Sequence, residues 1–369
     1  MTQPVRVLVV DDSALMRKLI PQILQADSSI QVVGTAMDGH FGLKKIEELK
    51  PQVVTLDLEM PGMGGLDMLK EIMRRHRIPV IVVSSHSTAG ASVTLQALSL
   101  GAFDFVAKPH DVSARMGEIA RDLIAKIKAA AQSRGVQVAT VTSPVAPVLT
   151  KPAAADRRQP SRIIAIGIST GGPQALQYVL PHLPGDFSGT ILIVQHMPEG
   201  FTEMFARRLD EICTIQVKEA QSGDLLLAGR ALVCPGNRHL RVKRLPLGDV
   251  AILSDDPRVN GHRPSVDVLF KSVADEFREK SMALLMTGMG DDGAEGMGAV
   301  KTAGGSTIAQ SEDSCVVFGM PKAAIERGYA IRVVGLDALA NLLVAQCMQD
   351  RKGATPDPAD GRAAGAGRP

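Results

Sequence analysis

Tryptophan is absent from the chain, tyrosine occurs twice, and aromatic residues make up only 3% of its 369 positions. The interior must therefore be filled by Val, Ile, Leu, Ala and Met. An excess of one charge is missing as well: 41 Lys and Arg against 39 Asp and Glu leave a formal +2, too weak a field for non-specific nucleic-acid binding. No apolar run approaches the length of a membrane span, and the start MTQPVRVLVVDDSA lacks the cationic, apolar and cleavage regions of a signal peptide. A cytoplasmic protein without membrane insertion is expected. Cysteine is scarce, and Cys213, Cys234, Cys315 and Cys347 form no C-x-x-C pair, so neither a zinc site nor a disulfide framework is suggested and the four read as reduced core or surface thiols. No repeat relates the two halves of the chain.

What remains is ordinary globular sequence, 45% hydrophobic and 22% charged, long enough for two domains. Between Ala130 and Pro160, Pro and small residues recur without any period that buries a face, and beyond Met348 the ending is rich in Pro, Gly, Ala and Arg. The expected division is a first domain over 1–129, a flexible linker over 130–160, a second domain over 161–349 and a disordered tail over 350–369. Both domains alternate β-branched runs with amphipathic stretches, the pattern of α/β folds with parallel sheets. In the first, strands are expected at Val5 to Val10, Ile30 to Ala36, Val53 to Leu56, Val80 to Val83 and Phe103 to Ala107. In the second they are expected at Ile163 to Ile168, Thr190 to Val194, Ala231 to Cys234 and Ala283 to Met286, with a hairpin around Pro235 to Arg238.

Open parallel sheets gather functional groups at the carboxyl ends of their strands. In the first domain those ends carry Asp11 and Asp12, then Asp57, then Ser84, then Lys108. Three carboxylates at one edge repel each other unless a hard cation neutralises them, and an oxygen-rich site of this kind suits Mg²⁺. Taken alone, DDS is also a common helix cap, through Ser13 or Asp12. The series DDS, TLDLEMPGMGG, VVSS and FVAKP resembles the receiver domain of bacterial two-component response regulators over roughly the first 125 residues. That resemblance implies a five-stranded flavodoxin-like fold with Asp57 as phosphoacceptor. Asp12, Asp57 and the backbone carbonyl of Glu59 would hold Mg²⁺, with Asp11 acting through water. Lys108 would grip the phosphoryl group, Ser84 would report it, and Phe105 stands where the family has a rotating aromatic.

In the second domain the first strand runs into Gly167-Ile168-Ser169-Thr170-Gly171, a G-x-S-x-G pattern in which small neighbours expose a serine on a tight strand-to-helix turn. Such a turn serves an oxyanion or a bound phosphate equally well, although G-x-G-x-x-G and G-K-S/T are both lacking. A serine nucleophile needs a base, and His196 follows the next strand, at the same sheet edge. His182, His239 and His262 read as surface or substrate-side groups, and the four remaining histidines belong to the first domain. The third partner is expected in Thr287 to Ala294, where Asp291 and Asp292 both qualify; a helix cap or a metal pair are the other readings of that stretch.

The segments IGISTGGP, VQHMP, MTGMGDDGAEG and GHRPSVDVLF together resemble the catalytic domain of the chemotaxis methylesterases, the CheB family, from about Arg162 to Met348. The resemblance implies a doubly wound, mostly parallel domain with Ser169 as nucleophile, His196 as general base and then acid, and Asp292 as orienting acid. Thr170 and the Met289 N–H would support the oxyanion. It also implies a hydrolase that frees glutamate from its methyl ester on chemoreceptors and deamidates glutamine. A histidine kinase of the CheA type would be the phosphodonor, Mg²⁺ would serve phosphorylation, and no cofactor would serve hydrolysis. Docking of the unphosphorylated receiver over Ser169 would be the brake. Two other classes compete with this reading: a receiver-linked transcription factor, for which the second half lacks a helix-turn-helix and a basic cluster, and a nucleotide or phosphate sensor built on the Ser169 loop.

Overall fold

The protein is described as a computed structural model over residues 3–85, 87–108, 116–133 and 159–353. The first half runs β1 (Val5–Val10), α1 (Ala14–Gln25), β2 (Ile30–Ala36), α2 (Gly39–Leu49), β3 (Val53–Leu56), α3 (Gly65–Arg75), β4 (Val80–Ser84), α4 (Thr88–Ser99), β5 (Asp104–Ala107) and α5 (Met116–Gln132). Its five strands pair in parallel in the order β2-β1-β3-β4-β5. β3, β4 and β5 are buried throughout, as a sheet covered by helices on both faces requires. Side chains fix the helix starts: Ser13 accepts from the Met16 N–H at α1, Asp38 from Phe41 at α2 and Ser87 from Gly90 at α4. Ser13, not Asp12, is therefore the cap of α1, and the Asp12 carboxylate is left for other work.

The second half runs β6 (Ile163–Ile168), α6 (Gly172–Val179), β7 (Thr190–Gln195), α7 (Phe201–Ile212), β8 (Gln216–Glu219), β9 (Arg230–Val233), β10 (His239–Lys243) and β11 (Val250–Ser254). It continues with α8 (Val266–Phe277), β12 (Ser281–Leu285), α9 (Ala294–Thr302), β13 (Ser306–Gln310), α10 (Met320–Glu326), β14 (Arg332–Val334) and α11 (Leu336–Gly353). Seven strands form a parallel sheet in the order β14-β13-β12-β6-β7-β9-β8. The direction of winding reverses between β6 and β12, and a crevice opens at the carboxyl end of such a switch point.

Three expectations need correction. Pro235 to Arg238 does not close a hairpin: β9 stays in the parallel sheet, and β10 pairs antiparallel with β11 downstream. The actual turn lies at Leu245 to Gly248, where Gly248 donates to the Leu245 carbonyl at φ 134°. The residues 130–132, read as linker, continue α5, and Ala130 is buried in the first domain's core. α11 extends to Gly353, past the expected start of the tail. The rest of the linker and tail, 134–158 and 354–369, lie outside the described residues.

The two halves share apolar packing. α4 lies against α6 and α7, and the Phe105 ring on β5 stacks on Phe201 of α7 at 4.8 Å between centroids. Polar contacts tie the same surfaces: Gln174 donates to the Ala102 carbonyl at 2.8 Å and Ser99 to Gln177 at 3.2 Å.

Candidate active site

At the carboxyl edge of the first sheet, oxygen atoms of Asp11, Asp12 and Asp57 lie within 4.8 Å of one another. Asp11 and Asp57 are buried and Asp12 is exposed. Lys108 reaches Asp57 Oδ2 at 2.6 Å and Asp11 Oδ2 at 3.1 Å, although the latter oxygen accepts no well-formed hydrogen bond. Burial pushes the Asp57 carboxyl above its ordinary range, against the pull of Lys108. Three acidic oxygens around one opening, held together against a single ammonium, fit a hard divalent cation. The Glu59 side chain turns to Ser85, whose hydroxyl donates to it at 3.3 Å, and its N–H donates to Asp57 Oδ1 at 3.2 Å. The Ser84 hydroxyl is held toward α4, accepting from Thr94 at 2.6 Å. Phe105 is buried at the boundary between the domains, with the Lys126 ammonium 5.6 Å from its ring centre.

At the carboxyl edge of the second sheet, Ile168 and Gln195 are paired across β6 and β7, so Ser169 and His196 are the next residues on strands about 4.8 Å apart. The His196 N–H donates to the Ile168 carbonyl at 3.1 Å, and the Gln195 amide bridges the two loops by donating to the Ser169 and His196 carbonyls at 3.0 and 3.2 Å. Gly171 takes φ 77° so that α6 can start at once, and the Gly172 N–H turns back to donate to the Ser169 carbonyl at 2.8 Å. From the other side, the Ser169 N–H donates to the Thr287 carbonyl at 3.0 Å. A Cβ on Gly288 would sit 2.8 Å from Ser169 Cβ and 2.3 Å from Met320 Sδ, so only glycine admits this approach.

Asp292 is 1% exposed and fully bonded. Its Oδ2 accepts from His196 Nε2 at 2.9 Å and the Val266 N–H at 2.8 Å, and its Oδ1 from the Ser265 hydroxyl at 2.8 Å and the Asp267 N–H at 3.2 Å. Although burial opposes ionisation, these donors and the imidazole hold its carboxyl down at about 2. Asp291 is exposed and pairs with Arg327 at 2.7 Å, which leaves Asp292 as the acid that meets the imidazole. Because Asp292 spends the Nε2 proton, Nδ1 is the nitrogen left for a nucleophile, and it is buried without a hydrogen-bond partner. Thr170 is 2% exposed and its Oγ1 likewise lacks a well-formed hydrogen bond, although it lies close enough to Asp104 of β5 to favour that carboxyl's charged form. The Met289 N–H makes no hydrogen bond among those of the described residues.

Several contributors escaped the sequence reading. Asp267 accepts from the Gly293 and Gly296 N–H groups at 3.1 and 2.6 Å, while Asp292 accepts from the first turn of α8, so the two helices cap each other's starts. Ser265 and Asp267 fall within the quoted GHRPSVDVLF, where Asp just inside a helix start is a visible signal, but the reciprocal partner is remote in sequence. His239, read as surface, is wholly buried, with Nε2 3.1 Å from the Pro257 carbonyl and Nδ1 3.2 Å from the Ser265 N–H. His262 is also no simple surface group, since its ring stacks on that of His196.

Known proteins resemble both halves. The family described as CheB methylesterase matches residues 164–343, and that described as response regulator receiver domain matches residues 7–119. A protein-glutamate methylesterase/protein-glutamine glutaminase 2 of Koribacter versatilis is 64% identical over 95% of this chain and 98% of its own length. A protein-glutamate methylesterase/protein-glutamine glutaminase of Symbiobacterium thermophilum is 47% identical over 92% and 96%. Among solved structures, the Thermotoga maritima CheB methylesterase catalytic domain aligns with 50% of this chain and 98% of its own at 40% identity, with a TM-score of 0.49.

Proposed function

The chain belongs to the CheB methylesterases that carry a receiver domain, and from that premise we propose that Ser169, His196 and Asp292 hydrolyse glutamate methyl esters of chemoreceptors under control of phosphate at Asp57. The observation that carries the proposal is the His196 ring itself: Nε2 is engaged by a buried, ionised Asp292, and Nδ1 is buried, unpartnered and next to the serine's strand. Ser169 Oγ attacks the side-chain carbonyl carbon while its proton passes to Nδ1. Asp292 stabilises the resulting imidazolium. The oxyanion is met by the Met289 N–H, which has no competing hydrogen bond among the described residues, with Thr170 in support. The imidazolium then protonates the departing methoxide, and methanol leaves an acyl-serine. Water, deprotonated by Nδ1, attacks that ester, the Oγ–C bond breaks, and the imidazolium returns its proton to Ser169 Oγ as glutamate is released. With a glutamine substrate the leaving group is ammonia and the product is the same, in keeping with the double name of the relatives.

At the receiver edge, Asp11, Asp12 and Asp57 with the Glu59 carbonyl would hold Mg²⁺, which supplies charge neutralisation for phosphoryl transfer to Asp57. Lys108 positions the phosphoryl group, and Ser84 and Phe105 register its arrival. The phosphodonor is a histidine kinase of the CheA type. We assign the receiver to residues 1–129, continued by the end of α5 through Gln132, and the catalytic domain to 161–349, continued by α11. Among the described residues no helix is long and apolar enough to cross a membrane, which accords with action on the receptors' cytoplasmic region. The test is Ser169→Ala in the full chain: methanol release from methylated receptor membranes stops, whereas turnover equal to the unsubstituted protein's refutes the assignment.

A further inference from the structure

We propose that His262 is a positioning residue for His196, a neutral aromatic lid that fixes the plane of the catalytic imidazole and stays uncharged while that imidazole carries its proton. The inference rests on the reading of Ser169, His196 and Asp292 given above. The two rings stack at 4.0 Å between centroids with 2° between planes, closer and flatter than contact by chance requires. His262 is held from its own backbone: Val259 and His262 exchange hydrogen bonds of 3.0 and 2.9 Å, closing a small antiparallel bridge that sets where the ring points.

The same short segment grips His196 twice. His262 covers the ring face, and three residues later Ser265 and Val266 bind the carboxylate that holds the ring edge. An imidazole fastened only by Nε2 can still swing about that bond, and a swing carries Nδ1 off the serine. A stacked ring forbids the swing without occupying Nδ1, which is the nitrogen the chemistry needs.

The charge state follows from the surroundings. Burial, and then the neighbouring His196, hold the His262 ring down at about 4, so it is neutral at pH 7. The charged groups facing it are His196 and Asp292, Arg258 on its own loop, and Asp122 from α5 of the receiver. A neutral ring offers its electron-rich face to the imidazolium formed when Ser169 gives up its proton. A second cation at this spacing would oppose that proton instead.

The experiment uses the full chain with acetyl phosphate and Mg²⁺, following methanol release from methylated receptor membranes across pH. His262→Ala, His262→Phe and His262→Arg are compared with Ser169→Ala. Loss of the stack in His262→Ala lowers kcat roughly 10- to 100-fold with KM unchanged. His262→Phe restores most of the lost kcat, because it keeps a neutral plane over the imidazole. His262→Arg keeps a planar group but adds a permanent cation, so kcat stays low and the acid limb of the kcat/KM profile moves to lower pH. An alanine variant with the unsubstituted kcat overturns the proposal, and so does a phenylalanine variant no faster than alanine. If His262→Ala does not fold, the Phe and Arg pair decides it alone: equal kcat and equal acid limbs overturn the proposal. A Ser169→Ala enzyme that still turns over would instead overturn the triad reading beneath it.

Discussion

Replacing Asp292 with asparagine tests the site at its most constrained atom pair. Both carboxylate oxygens accept, Oδ1 from Ser265 and Asp267 and Oδ2 from Val266 and His196, so an amide must put its NH₂ against backbone donors on one side or the other. If the NH₂ faces His196, the imidazole must accept at Nε2 and carry its proton on Nδ1, where it cannot serve as a base. The expected loss in kcat is about 10⁴-fold, the cost of the wrong tautomer in a comparable triad. Stability falls too. Moving the carboxyl from its ordinary 3.8 to about 2 corresponds to about 2 kcal/mol of folding stability. That contribution is complete above roughly pH 4, where the unfolded carboxyl is ionised, and disappears as pH falls toward about 2. Urea unfolding of the two proteins should therefore show a gap near neutrality that closes on acidification, alongside turnover from methylated receptor membranes. An asparagine variant within tenfold of the parent kcat, or a stability gap indifferent to pH, would refute the reasoning.

Gly288→Ala should lower kcat sharply by driving a methyl group against Ser169 Cβ and Met320 Sδ, which turnover measured beside a thermal melt will separate from unfolding. Asp57→Asn should abolish incorporation of phosphate from labelled acetyl phosphate and leave only the basal esterase rate. Phe105→Ala removes an interdomain stack of the kind that contributes about 0.5–1.5 kcal/mol, and should raise the rate without phosphodonor by about 2- to 10-fold. An unchanged basal rate would mean that this contact does not hold the domains together.

Much of this architecture was legible because the central strands are buried on both faces and so read as unbroken β-branched runs. Val53–Leu56 and Ile163–Ile168 are buried throughout and begin and end where periodicity puts them, as do Val5–Val10 and the half-exposed edge strand Ile30–Ala36. The hairpin failed for a different reason. Pro235 to Arg238 is turn-forming sequence, but turn chemistry reports where a chain bends and is silent on which strand it will pair with. The site divided along the same line. Ser169 and His196 are each the first residue past a strand, a position that local pattern reveals. His262 and His239 sit among polar neighbours in the sequence and are covered only when the β11–α8 loop folds back, so nothing local marks them. The choice between Asp291 and Asp292 was likewise non-local, since it depends on the start of α8 meeting the start of α9.

The close spacing of the two sites suggests why a receiver can govern a hydrolase without a long relay. β5 is four residues long, yet it touches both sites. Lys108, just beyond its end, bonds Asp57; Phe105 stacks on Phe201; and Asp104 lies beside Thr170, the neighbour of the nucleophile. α4 has the same double allegiance, since Thr94 holds the Ser84 hydroxyl on one side and the helix packs on α6 and α7 on the other. A phosphoryl group adds about two negative charges at Asp57 and new acceptors for Lys108 and Ser84. On the proposed mechanism, drawing Ser84 inward would break its bond to Thr94, and repositioning Lys108 would pull on the strand that carries Phe105. Both responses would fall on surfaces packed against the catalytic domain, which is how a phosphoryl group would bias the proposed docking equilibrium. Since one aromatic stack is of the same order as a several-fold population change, the proposed rearrangement of β5 and α4 would shift the balance toward an open enzyme several-fold.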